Sequence, residues 1–438
     1  MNKTYLSIFI IIFFSIILKA QTETDTLLQG ATLQDCVQYA LKHQPSVQQS
    51  LLNEQIVNQE IKSKLADWFP QITLNFDVQH YYKQPTSIFQ GREVHIGSIN
   101  NSNGQLAVTQ NIFNRDALLA ATSAGDVREQ ATQSTESNKI NVIVNVSKAY
   151  YAVLLTKNQI DLVNQDIERL GQGQKDAYNQ YKGGIVDKTD YMQATIALNN
   201  AKADSIHVQE QLKSGIANLK QQMGFPPKGE LQLNYNMTKM EDEVSIDTTL
   251  PLVYQNRIEY KLLQTQRRLQ EANLHYYAWN FLPSLSAYGQ YNLNFQNDQF
   301  SELYNRSFPN SYVGLQLSLP ILEGGKRFQE VEQAKLELEQ INYDQSALKS
   351  SINTEYIQAL GNYKSNLNNY HVQKDNLKLA KDVYKIIELQ YKSGVKTYLD
   401  VITAETNLKT TQVNYLNALY QVLISKLDLQ KALGTIQY

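Results

Sequence analysis

The sequence predicts a mainly α-helical chain with four inserted β-strands, its plan written twice. Three observations carry this. The first is a repeat: Tyr181-Lys182-Gly183-Gly184 returns as Tyr391-Lys392-Ser393-Gly394, 210 residues further on, and self-similarity at a fixed offset marks a duplicated structural unit. In the same frame Asp190 matches Asp400, Ala194 matches Ala404, Leu198 matches Leu408, Leu219 matches Leu429 and Gly224 matches Gly434, while Trp68-Phe69-Pro70 answers Phe281-Leu282-Pro283. The second is length without proline. Residues 116–181 and 322–393 contain none, and at ~1.5 Å rise per residue each makes a helix of roughly 100 Å. The third is a strict two-residue alternation in four short segments, the period of a strand with two unlike faces.

Taken in order, residues 1–20 read as a secretory signal. Asn2 and Lys3 precede an uncharged apolar run from Tyr5 to Leu18, and Ala20 supplies a small residue before the polar stretch at Gln21. That run is too short to cross a ~30 Å hydrocarbon core as a helix. Two repeats follow, 21–225 and 251–438, joined by a connecting segment over 226–250. The first is expected to hold helices over 33–68, 116–181 and 186–223, with strands over about 71–82 and 104–113. The second is expected to hold helices over 252–281, 322–393 and 397–433, with strands over about 284–295 and 311–319. Two short helices set end to end match one long one, so a bundle of even length follows. Val401, Leu408, Tyr415, Val422 and Leu429 recur every seven residues, as do Tyr191, Leu198, Ser205, Leu212 and Leu219; this is the spacing of a coiled-coil seam. Helices this long need partners.

Each strand segment alternates along its length: Ile72, Leu74, Phe76 and Val78; Leu106, Val108 and Ile112; Leu285, Ala287, Gly289, Tyr291, Leu293 and Phe295; Val313, Leu315, Leu317 and Leu319. Pro70, Pro283 and Pro320 stand at their edges, and the joining segments 83–102 and 296–310 read as long polar loops. The pattern alone fits an ordinary half-buried sheet. Each segment is about 9–12 residues long, which is also the length of a tilted strand crossing a bilayer. Four strands cannot close a barrel, but several chains giving four each can, and an exposed edge is otherwise an aggregation hazard. Beyond the first segment there is no apolar run of some 18 residues, so entry into a membrane would have to be as a β-barrel.

Composition narrows the function. Forty Lys and Arg balance 42 Asp and Glu, for a net charge of −2, without the basic excess that a nucleic-acid surface needs. Mean hydropathy is −0.42 although only 19% of residues are charged, so Asn, Gln, Ser and Thr supply the polarity. Tyr, at 28, outnumbers Phe at 13 and Trp at 2, which points to amphipathic rings near water. The lone Cys36 excludes an internal disulfide or a Cys-based zinc cluster. The six histidines show no ligand spacing, five methionines give no Met-lined path, and Gly171 and Gly173 lack the rest of a phosphate loop and read as a local bend. No cofactor, no metal and no catalytic group is expected; the chain does not read as an enzyme.

The run Tyr391-Lys392-Ser393-Gly394-Val395-Lys396-Thr397-Tyr398-Leu399-Asp400-Val401-Ile402 and its weaker copy from Tyr181 to Met192 carry a resemblance. They are joined by Leu317 to Gly325, by the strand entries at Pro70 and Pro283, and by Leu429 to Gly434. Together they resemble the TolC-like outer-membrane efflux protein family. The resemblance implies a mainly α fold with a membrane β-barrel portion: a homotrimer in outer-membrane lipid whose chains give four strands each to a twelve-stranded barrel. Their helices form a long α-helical barrel in the periplasm, with 225–250 and the C-terminus in a band around its middle. It implies a passive exit duct of a tripartite efflux or type I secretion system, docked to a periplasmic adaptor (membrane-fusion) protein and an inner-membrane pump. The other class that fits is a structural coiled-coil protein of the periplasm or cell surface.

The candidate site is the pair of hairpin tips. Read from the residues alone, Thr397-x-x-Asp400 is a capping box, and Asp187-x-x-Asp190 puts a carboxylate in a first turn, where the helix dipole favours it. The resemblance adds a gate: Asp190 and Asp400 face the closed entrance, and Tyr391 and Lys396 hold it shut through Thr189 and Asp190 of the neighbouring hairpin. Where the family's type member has a second acid, this chain has Thr403, so the ring carries less charge; Lys396 replaces an Arg and lacks its bidentate fork. Gly183, Gly184 and Gly394 are expected to make the tight turns. Tyr181, Lys182, Gly183, Gly184, Lys392, Ser393 and Gly394 match the surface gripped by the adaptor.

Overall fold

A computed structural model describes residues 27–234 and 237–436; the signal segment over 1–20 lies outside the described residues. The first strand, β1 (Leu27–Ala31), leads into α1 (Leu33–His43), which starts on a capping box between Thr32 and Asp35. The helix expected over 33–68 is interrupted: Gln44 is extended, at φ −64° and ψ 123°, and α2 restarts at Pro45–Leu65. Proline accounts for the break, because its ring drives the preceding residue out of the helical region. After α2 come β2 (Gln71–His80), β3 (Thr86–Phe89), β4 (Arg92–His95) and β5 (Asn100–Phe113). The segment expected as a loop thus holds a hairpin, β3–β4, turned by Gln90 and Gly91, both at positive φ. Such a turn is usually written Asn-Gly or Asp-Gly, which is why it escaped the sequence reading.

The long helix α3 (Arg115–Lys182) begins at Asn114, whose side chain accepts from the amides of Asp116 and Ala117, and α4 (Lys188–Met223) returns beside it. The connecting segment contains β6 (Glu230–Leu233), parallel to β1, and the short α5 (Met237–Asp242). The second half then repeats the plan with α6 (Ile258–Ala278), β7 (Ser284–Asn297), β8 (Ser307–Ser318), α7 (Lys326–Lys392) and α8 (Tyr398–Leu433). α4 and α8 are both 36 residues long and start 210 residues apart; α2 and α6 are both 21 residues.

Contacts give a fixed lateral order. Below the middle the helices run α4, α3, α8, α7; above it they run α2, α3, α6, α7; the four-stranded sheet runs β2, β5, β7, β8. The same side of the chain therefore ends on β2, α2 and α4 and the other on β8 and α7. The end-to-end stacking of short helices is present: Gly224, just after α4, lies against the backbone of His43 and Gln44 before α2, and Gly434, just after α8, lies against Asn256 before α6.

The main core sits at mid-length, where α1, α3, α4, α7 and α8 meet the connecting segment around Cys36, Leu154, Leu219, Tyr363, Leu419 and Met240. It also explains the tyrosines. The Tyr363 hydroxyl donates to the Val244 carbonyl at 3.0 Å and accepts from the Ile246 amide at 3.1 Å, Tyr151 donates to Glu243 at 2.7 Å, and Tyr415 donates to Glu241. Each ring is packed inside while its hydroxyl fastens the connecting segment to the long helices. All five residues of the α8 heptad seam are buried.

The sheet has two unlike faces. Ile72, Leu74, Phe76 and Val78 of β2 and Val313, Leu315 and Leu317 of β8 are exposed apolar residues. On the opposite face amides link the strands: Asn75 donates to Gln105 at 3.3 Å, Gln105 to Gln290 at 3.0 Å and Asn292 to Asn310 at 2.8 Å. Pro309 is tolerated inside β8 because that strand is an edge. Among the described residues no helix is long and apolar enough to cross a membrane.

Candidate functional site: the two hairpin tips

The tips are built by matching turns. Helix α3 ends at Lys182, Gly184 takes φ +71°, and the Ile185 amide reaches back to the Gln180 carbonyl at 2.9 Å. Helix α7 ends at Lys392, Gly394 takes φ +76°, and the Val395 amide reaches the Gln390 carbonyl at 2.9 Å. This is the backbone pattern of a Schellman end, in which a left-handed residue satisfies the last carbonyls. Of the three glycines expected in the turns, only Gly184 and Gly394 need to be glycine. Gly183 has a negative φ of −78°, and its counterpart Ser393 one of −89°, which any residue can adopt.

The second tip starts its return helix on the expected capping box. Asp400 Oδ2 accepts from the Thr397 amide and hydroxyl, both at 2.9 Å, and the Thr397 hydroxyl accepts from the Asp400 amide at 3.3 Å. These bonds, the backbone one first, hold the Asp400 carboxyl below the usual carboxylate range. Asp190 also lies in a first turn, but its cap residue Asp187 makes no side-chain cap bond.

The expected partners of Tyr391 and Lys396 are different within the chain. The Tyr391 hydroxyl donates to Gln180 Oε1 at 2.9 Å, not to Thr189 or Asp190. Lys396 lies 3.7 Å from Asp400 on its own hairpin. Geometry decides this: Gln180 is in the last turn of α3, level with Tyr391 in the last turn of α7, whereas Thr189 is exposed in the first turn of the returning α4. Asp190 is felt at a distance. Burial, and then its negative charge, push the Tyr391 hydroxyl pKa up.

Behind these residues a small second core joins the hairpins. Ala177 and Ala194 of the first and Tyr398 of the second are buried, with Tyr191, Tyr391 and Ile402 packed around them. Gly173 lies inside an unbroken α3 and faces the Tyr398 hydroxyl of the other hairpin, which an added Cβ would meet at 3.5 Å, an ordinary van der Waals contact. The bend expected at Gly173 is absent from α3, and no sequence motif marks Gln180 or Tyr398 as site residues. The clustering of Tyr178, Tyr181, Tyr191, Tyr391 and Tyr398 around the two motifs was the available signal. At the outer surface Tyr181 stacks parallel to Tyr191, Lys182 lies over Tyr178, and Lys392 pairs with Glu388 at 2.8 Å.

Comparison with known proteins agrees with this architecture. The sequence pattern of the outer membrane efflux protein family matches residues 36–224 and again 255–435. The outer membrane protein TolC of Salmonella enteritidis is 24% identical over 435 residues, covering 94% of this chain and 83% of that protein. The alkaline protease secretion protein AprF of Pseudomonas aeruginosa is 22% identical over 48% of this chain and 44% of its own length. Among solved structures, CusC superposes with a TM-score of 0.76 at 17% identity, covering 96% of each chain. A duplicated helical body, an apolar-faced four-stranded sheet and a family match in both halves leave one conclusion: the chain belongs to the outer membrane efflux protein family, resident in the outer membrane with its helices in the periplasm.

Proposed function

We propose that three copies of the chain close head to tail into a passive duct, gated at the hairpin tips and docked there to a periplasmic adaptor and an inner-membrane pump. As a member of its family the chain is an outer-membrane exit duct for efflux or secretion, which sets aside the structural coiled-coil reading. The observation that supports closure by further copies is the agreement of the unpaired sides. β2 and β8 are both open edges. Along the same side as β8, α7 exposes Leu336, Tyr343 and Ile357 and then Val372, Leu379 and Ile386, at multiples of seven within each set. A neighbour's α2 and α4, with exposed Leu52, Ile56, Met192 and Ile196, would complete that seam, as β2 would complete the sheet.

In such a ring three Asp400 carboxylates come near one axis. Their ionised state at neutral pH makes a narrow mouth attractive to cations and repulsive to itself. Opening would separate the hairpins and break the bond from Tyr391 to Gln180. Replacing Asp400 by Ala is expected to raise the leak conductance in planar bilayers and to weaken block by divalent cations added on the periplasmic side. Unchanged traces would remove Asp400 from the gate. Asp400→Asn keeps a capping acceptor while removing charge, so it should weaken the block with less leak.

The adaptor is tested separately. A photoreactive residue at position 392, activated in living cells, is expected to crosslink to a periplasmic adaptor. Absence of any adaptor product from a crosslinker that does react with added helical hairpins would overturn docking at the tips.

A further inference from the structure

Above the tips a buried group of charges ties the two hairpins of one chain to each other. Arg169 of α3 donates Nε to Glu405 Oε1 of α8 at 2.6 Å, and Nη2 to Asp166 Oδ1, one turn back on its own helix, at 2.5 Å. Its guanidinium also lies over the Tyr384 ring of α7, 5.0 Å from the centroid. Next to this group Lys409 of α8 reaches Asp204 of α4 at 2.5 Å. All four helices of the lower body therefore contribute at this level. Glu405 stands five residues past Asp400 on α8, about 7.5 Å further from the tip at ~1.5 Å per residue.

The charges do not balance. Asp166 is 3% exposed and Glu405 is nearly as covered, yet one guanidinium serves both carboxylates. The remaining titratable neighbours do not make up the difference. Lys409 is matched by Asp204, Glu388 of α7 is matched by Lys392, and the Tyr384 and Tyr398 hydroxyls stay protonated. Burial raises the pKa of both carboxyls against the pull of Arg169. A buried ion pair resists the loss of either partner, while surplus buried charge is relieved whenever water gains access.

We propose that Arg169 is a second latch of the duct: through Glu405 it ties the two hairpins of each chain together above the tip contacts, and the surplus carboxylate of Asp166 keeps that tie breakable. The proposal rests on the duct reading above. Arg169 acts by holding α3 against α8, not by touching cargo. The tip contacts then close the mouth, while the latch sets how far the hairpins can slide before it opens.

The test is single-channel conductance of the purified oligomer in planar bilayers. Arg169→Ala leaves two buried carboxylates without a cation and is expected to lower the ratio of closed to open channels on the order of 100-fold. Asp166→Asn removes the surplus charge while keeping an acceptor, and is expected to leave conductance at or below the wild-type level. Should Arg169→Ala fail to assemble, the double variant Arg169→Cys, Glu405→Cys carries the test. Joined by a short bis-methanethiosulfonate linker it should stay closed, and it should leak once a reductant cuts the linker; Cys36 is buried and does not compete. Wild-type conductance from Arg169→Ala, an Asp166→Asn channel as open as Arg169→Ala, or indifference to cutting the linker would each overturn the latch. Asp400→Ala is the control. If it opens the channel and Arg169→Ala does not, the latch is wrong and the duct stands; if no protein conducts, wild type included, the duct reading itself falls.

Discussion

Gly434→Ala is expected to destabilise the folded chain by about 2–5 kcal/mol. Two costs add. Gly434 ends α8 in the left-handed region, at φ +69°, where a side chain costs about 1–2 kcal/mol. A Cβ there would also sit 2.6 Å from the Asn256 carbonyl oxygen and 2.8 Å from its carbon. These are backbone atoms at the entry to α6, so they cannot rotate aside, and forced overpacking costs about 1–3 kcal/mol more. Gly224 repeats the situation at φ +67°, with the His43 carbonyl oxygen at 2.7 Å, and should behave alike. Gly394 is the control: it has φ +76° but nothing within 4 Å of an added Cβ, so Gly394→Ala should show only the conformational cost. The measurement is the temperature at which the oligomer dissociates on heating in detergent. Equal shifts for Gly434→Ala and Gly394→Ala would show that the contact with Asn256 is immaterial.

The same junction carries the second large effect. Arg257 precedes α6 and is 3% exposed. Its Nη1 donates to the Ala432 carbonyl near the end of α8 at 2.9 Å, Nη2 to Glu355 of α7 at 2.7 Å and Nε to Glu259 at 3.1 Å. One side chain therefore stitches together the end of one helix, the start of the next and the flank of a third. Arg257→Ala is expected to cost about 2–4 kcal/mol, toward the lower side of what breaking a buried pair costs, because both carboxylates are partly in water. The first repeat supplies an internal comparison. Gln44 occupies the matching place before α2, and its Nε2 donates to the Gln222 carbonyl at 3.1 Å. Arg257→Gln should therefore keep the carbonyl bond and recover about half of the loss. Denaturant unfolding of the three proteins would show it; Arg257→Gln as unstable as Arg257→Ala would mean that the carboxylates carry the whole effect.

How much was legible follows from what kind of interaction wrote each feature. The 210-residue offset located the tips, both pairs of left-handed glycines and the equal lengths of α4 and α8, because turn chemistry and helix length are local properties and a duplication copies them together. Strand positions were legible from alternation, which one apolar face imposes. The Thr397–Asp400 box was legible because its partners lie three residues apart. The break at Gln44 was written in the sequence by Pro45 and passed over. The hairpin β3–β4 was hidden by an unusual turn sequence.

The partners of Tyr391 and Lys396 were not legible in the same way. A gate bond to Thr189 or Asp190 was carried over from a resemblance, whereas the bond to Gln180 depends on which turns of α3 and α7 come level, a matter of packing between segments about 210 residues apart. Gly173 is a similar case: nothing local in the sequence places the Tyr398 hydroxyl of the other hairpin beside it. Arg169 carried no motif, and its meeting with Glu405 and Asp166 exists only once α3 and α8 are side by side.

By itself, then, the sequence determined the long helices, the four strands of the main sheet, their duplication, the turns that end the hairpins and the family, since all of these are set by short-range periodicity and backbone conformation. Only the tertiary structure decided which helix faces which, that one side of the chain is open from β2 down to α4 and the other from β8 down to α7, and where charge is buried. Those features arise from contacts between residues far apart in the chain, and desolvation acts on a carboxylate only after other helices have covered it.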